Sequence, residues 1–115
     1  MSTETRPSAE RFDELFGLLA DSRRRHAVAV LETHGEPLSL ADVADEVASM
    51  ETGRPLPDIP PETVLEVYCA LYHTHVPLLE RADVVCYDQQ TDTVSLVADP
   101  DELAPFLEHD PALQQ

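Results

Sequence analysis

The chain has 115 residues, 43% of them apolar and few aromatic, which is enough for one domain with a modest core and too little for two. Twenty-three Asp and Glu stand against seven positive side chains, all of them Arg, giving a net charge of -16. There is thus no lysine for phosphate contacts, and no apolar run approaches the roughly 18 residues that a bilayer span requires.

Self-repulsion at such a charge destabilises a compact chain in dilute salt and is common in halophile proteins. In molar salt the Debye length falls to about 3 Å, so neighbouring carboxylates hardly interact. The expectation is a protein suited to a salt-saturated cytoplasm. Cys69 and Cys86 lie in apolar stretches and are expected as buried, reduced thiols. The N-terminus has neither a charged n-region nor an apolar h-region, so the expected location is cytoplasmic.

In chain order, residues 1–7 are polar and expected to form a disordered arm. Ser8 offers a cap for a first helix carrying Phe12, Leu15, Phe16 and Leu19 at helical spacing and ending near Ala20. Ser22 offers a cap for a second helix from Arg23 to His34, closed by Gly35. A short extended piece, EPLSL, precedes a third helix capped by Ser39, with Leu40, Val43, Ala44 and Val47 on its apolar face.

Residues 51–61, ETGRPLPDIPP, hold four prolines and predict a stiff loop in place of a tight turn. Helix resumes at Pro61 or Glu62 and extends to about Ala82, with a kink or local break at Pro77, which has no amide to give His73. VVCY and TVSLV then flank DQQTD as a β-hairpin, completing a domain over residues 8–98. Residues 99–115 form a tail in which one helical turn is expected to pack back through Leu103, Phe106 and Leu107. The fold class read from this order is mainly α with a small β-hairpin, a winged helix-turn-helix.

Residues 18–47, LLADSRRRHAVAVLETHGEPLSLADVADEV, resemble the opening of winged-helix regulators of the arsenic-repressor type. Residues 68–88, YCALYHTHVPLLERADVVCYD, resemble the tyrosine-histidine-x-histidine-leucine-proline signature of a haloarchaeal winged-helix domain of unknown function. Val76 replaces the leucine of that signature, and Asp83 stands where many relatives place glycine before the wing. The resemblance implies a winged-helix fold and, by analogy of fold, a role in transcription.

Arg23, Arg24 and Arg25 form the one positive cluster of the sequence. Arginine forks either bind DNA phosphate bidentately or pair with nearby Asp and Glu, and the sequence leaves both open. His73, Thr74 and His75 on the reading helix, with Gln89, Gln90 and Thr91 in the hairpin turn, are the candidates for neutral hydrogen bonds to base edges or phosphates. Cys69, His73, His75 and Cys86 have poor spacing for a metal, because His73 and His75 fall on different sides of a helix. No glycine-rich phosphate loop, nucleophile elbow or isolated carboxylate pair is present, so neither catalysis nor a cofactor is expected.

The long helix is apolar on two faces, one through Tyr68, Tyr72, Val76 and Leu79 and another through Val64, Val67, Leu71, His75 and Leu78. Such a helix is normally buried on both sides. The first helix or a second copy of the chain must cover it, and a homodimer using Phe12, Leu15, Phe16, Val64, Val67, Leu71 and Leu78 is the economical reading. The leading expectation is a dimeric regulator that binds duplex DNA, without contact to a membrane. The alternative is a winged-helix protein-interaction module that does not bind DNA, using apolar loop residues near Leu56 and Ile59.

Overall fold

A computed structural model describes residues 8–108 together with Asp110 and Leu113; the expected arm at residues 1–7 lies outside them. Helix α1 spans Ala9–Leu18 and is capped by Ser8, whose Oγ accepts from the Arg11 amide at 3.0 Å. Helix α2 spans Ser22–His34, and its cap is Asp21, not Ser22. The Asp21 carboxylate accepts from the amides of Arg23 and Arg24, a charge-assisted version of the bond that a serine would make. Gly35 closes α2 at φ 68°, a left-handed backbone that glycine adopts without penalty.

Strand β1, Leu38–Ser39, leads directly into α3, Leu40–Thr52, where the Ser39 side chain accepts from the Asp42 amide. The proline-rich segment contains a 3-10 turn at Leu56–Asp58. Helix α4, Pro61–Ala70, is followed without a break in the chain path by a π-helical turn, Leu71–His75, and then by α5, Val76–Arg81. The interruption expected at Pro77 is thus this π turn: the Val76 amide reaches back to the Leu71 carbonyl, and Pro77 sits in the first turn of α5, where its missing N–H costs little.

The hairpin pairs β2, Val85–Asp88, with β3, Thr93–Leu96. β1 joins β3 on the other side, giving an antiparallel sheet of order β1-β3-β2, with Leu38 opposite Val94 and Tyr87 opposite the same Val94. Helix α6, Pro100–Leu107, is twice the single turn expected of the tail and packs on α1 and α2, with Leu103 fully buried.

Val28, Val43, Val47, Leu71 and Leu79 meet Val84 and Val94 of the hairpin in one core. Small residues on α3, Ala44 and Ala48, allow the close packing of α3 on its neighbours. Among the described residues no helix is long and apolar enough to cross a membrane.

Two left-handed residues other than glycine frame the hairpin. Asp83 (φ 60°) follows α5, its amide bonding the Glu80 carbonyl while the Val84 amide bonds that of Leu79. This is a Schellman-type ending with aspartate at the position usually given to glycine. Asp92 (φ 55°) immediately precedes β3 and accepts the Leu40 amide at its backbone oxygen, tying hairpin to α3.

Candidate interaction surface on the helix-turn-helix

The three consecutive arginines open α2, and each is turned inward to protein. Arg23 forks onto Glu51 of α3, donating Nε at 2.6 Å and Nη2 at 2.8 Å, and reaches Glu66 of α4 at 3.4 Å. Those bonds to Glu51, outweighing partial burial, raise its pKa above the ordinary arginine value. Arg24 donates to the Leu18 carbonyl at 2.6 Å, and Arg25 to those of Leu19 and Ala20 and to the Asp110 carboxylate. These carbonyls belong to the end of α1, where helical acceptors lack partners, so Arg24 and Arg25 build the α1–α2 corner. Of the two roles that the sequence left open for this cluster, the bonds of Arg23 and Arg25 to Glu51, Glu66 and Asp110 are of the carboxylate-pairing kind.

His75 is also taken out of the reading set, being only 8% exposed. Arg24 donates to its Nδ1 at 3.3 Å, which leaves the ring neutral with its proton on Nε2. Burial, with further help from Arg24 and Arg23, lowers its pKa against the opposing pull of Asp21 and Glu51. Burial also pushes the Asp21 carboxyl up, but the Arg24 amide, the Arg24 charge and the Arg23 amide together hold it below its ordinary value.

His73 and Thr74 are exposed, as are Gln89, Gln90 and Thr91 at the hairpin tip. The tip is shaped by its own side chains: Asp88 accepts from the Gln90 amide at 2.9 Å, and the Thr91 and Thr93 hydroxyls bond at 2.8 Å. Arg54 and Arg81 are exposed. Cys69 and Cys86, expected to be buried, are both exposed free thiols, because each lies on the solvent side of its element.

Leu15, Val67 and Leu71, assigned from sequence to a dimer interface, belong to the chain's own core and offer no free surface. Val64 and Leu78 are half-buried. Phe12 and Phe16 stay on the surface at 46% and 62% exposure, and Phe12 lies 5.1 Å from the Phe106 ring of α6.

The solvent face of α4 and the π turn includes Glu62, Leu65, Glu66, Cys69, Tyr72, His73 and Thr74. Leu65 is 60% exposed. It falls between the two apolar stripes legible in the sequence, so no periodic signal marks it.

Beside it, α3, the 3-10 turn and the start of α4 enclose a groove of about 570 Å³ lined by Ala41, Ala44, Asp45, Leu56, Ile59 and Leu65 among others. Ile59 is buried in the floor of this groove, contrary to its expected exposure in the loop, whereas Leu56 is exposed on the wall. Burial, then the neighbouring charges of Asp42 and Glu46, raises the Asp45 pKa.

A second cluster ties the hairpin to the reading helix. Asp92 accepts the hydroxyl of Tyr68 at 3.0 Å and that of Tyr87, and Tyr72 stacks on Tyr68 and meets Tyr87 edge-on. Burial, followed by the bond to Asp92, raises the Tyr68 pKa; for Tyr87 the bond to Asp92 is the larger cause and burial the second.

Paired α3 and α4 with a β2–β3 hairpin alongside define a winged-helix-like protein. The chain belongs to the family described as Domain of unknown function (DUF7344), which matches residues 16–95. No curated protein and no solved structure matches it.

Proposed function

We propose that this winged helix is a protein-recognition module that does not bind duplex DNA. The observation that carries the reading is the exposed face of α4 and the π turn, where Leu65, Cys69 and Tyr72 are exposed alongside Glu62 and Glu66. A helix that enters a major groove presents hydrogen-bonding or cationic side chains to base edges and phosphates. An apolar stripe with carboxylate neighbours suits a protein surface instead. The engagement of Arg23, Arg24 and Arg25 with Glu51, Glu66, Asp110, His75 and the α1 carbonyls supports the same reading.

The module acts as a homodimer through the exposed Phe12 and Phe16 face, in a salt-rich cytoplasm that screens its charge of -16. The resemblance of residues 18–47 to arsenic-repressor-type regulators favours that class as its origin.

A second reading, a DNA-binding transcriptional regulator, is favoured by one observation: His73, Thr74, Gln89, Gln90 and Thr91 are all exposed, with Arg81 near them in sequence. In molar salt counterion release contributes little, so neutral contacts weigh more than usual. Immobilised protein challenged with sheared genomic DNA over a range of KCl separates the two. No retained fragment at any salt is expected, and retention that Thr74→Ala or Gln90→Ala redirects to other sequences would establish the regulator instead.

A further inference from the structure

We infer that the groove between α3 and α4 docks an amphipathic segment of a partner protein that places large apolar side chains against Leu56, Ile59 and Leu65 and an arginine or lysine opposite Asp45. This inference rests on the protein-recognition reading and names the chemistry of the partner.

The groove is apolar on its floor and walls and has a single charged residue, Asp45, in its lining. Asp42 and Glu46 crowd that carboxylate, and among the described residues no cation pairs with Asp42 or Asp45. The wall therefore has an uncompensated negative potential beside a cavity built for apolar side chains. A cation carried on an apolar segment satisfies both, and an arginine fork fits a carboxylate bidentately.

The surroundings also oppose other occupants. A polyanion would meet Asp45 and Asp42, with which no cation is paired among the described residues. A second copy of this chain brings the same excess of Asp and Glu, 23 against seven positive side chains. The groove is also stiff before anything binds. Pro57 and Pro61 line it, and Gly53 and the 3-10 turn fix the approach of the loop, so little chain entropy is lost on docking.

The test uses the whole chain at high KCl and three short fluorescent peptides: leucine and arginine at helical spacing, leucine and glutamate at the same spacing, and glycine with arginine. The leucine-arginine peptide is expected to bind, with amide shifts confined to α3, the 3-10 turn and the start of α4. Leu65→Asp and Asp45→Arg should each weaken it by about tenfold, and Asp45→Arg should gain the leucine-glutamate peptide.

Both positions are at least partly solvent-exposed, and thermal melts check that the variants fold; should Leu65→Asp fail, Asp45→Arg alone decides the point. Equal binding of the leucine-arginine and glycine-arginine peptides, or of the two leucine peptides, overturns the inference, as does no binding. Binding of Nile red that the leucine-arginine peptide does not displace also overturns it and assigns the groove to a small apolar ligand. The same preparation is passed over genomic DNA: retained DNA sinks the wider protein-recognition reading, whereas neither DNA nor peptide bound sinks only the groove assignment.

Discussion

Replacing Asp92 with Asn is expected to loosen the hairpin from the reading helix. The Asp92 carboxylate accepts two phenol hydroxyls, from Tyr68 on α4 and Tyr87 on β2, in a half-buried setting. A hydrogen bond to a charged group contributes about 1.5–3 kcal/mol, and partial exposure puts these at the lower end. Asparagine tolerates the left-handed backbone and keeps one acceptor oxygen, but it loses the charge and turns an NH2 toward the other hydroxyl. The expected loss is therefore about 1–2 kcal/mol.

Alanine would remove both bonds and add about 1 kcal/mol for a left-handed backbone without a compensating side chain, for a total near 4 kcal/mol. Urea unfolding at constant high KCl measures these changes. Cycles with Tyr68→Phe and Tyr87→Phe should give coupling energies of about 1 kcal/mol with Asp92→Asn. An unchanged urea midpoint for Asp92→Asn, or strictly additive double variants, would refute the clamp.

The clamp also sets an alkaline limit. Both phenols are held above their ordinary pKa in the folded chain, Tyr87 mainly by its bond to Asp92 and Tyr68 mainly by burial. The folded state therefore favours the neutral hydroxyls. Their contribution is fully present below the unfolded phenol value of about 10 and is lost as pH rises through the raised folded values. Tyr87→Phe should flatten that alkaline loss.

Asp83→Gly should stabilise the fold by about 0.5–1 kcal/mol, because glycine meets the φ of 60° without strain; a lower melting temperature would argue against strain at this turn. With a net charge of -16, the melting temperature should rise as KCl increases from about 0.1 M toward molar levels, and a salt-independent melt would remove the case for salt adaptation. Light scattering at high salt should report a dimer that Phe16→Asp dissociates while the circular dichroism stays native, whereas Leu71→Asp should unfold the chain by burying an unpaired charge. A monomeric wild type at micromolar concentration would end the dimer proposal.

Local patterning in the sequence settled much of the fold. Helical spacing of Leu40, Val43, Ala44 and Val47, the Ser39 cap, Gly35 at a left-handed helix end and the alternation around DQQTD each depend on residues a turn apart or less. Pro77 announced an interruption for the same local reason, since its missing amide affects only its own helix. The position of Asp83, resembling a glycine site, was legible as well, although its φ was not.

Partnership over long sequence distances was decided only by tertiary structure. The arginine cluster looked equally suited to phosphate and to carboxylate, and its pairing with Glu51, Glu66 and Asp110 depends on segments distant in sequence. The apolar faces of the long helix appeared to need covering by the first helix or by a second subunit. Packing by α3 and the hairpin buried Val67, Leu71, Val76 and Leu79 within one chain and left Leu65 outside. A helical pattern shows which side chains share a face; it does not reveal whether the covering surface comes from the same chain, from another, or from water, because burial is a property of the assembled layers.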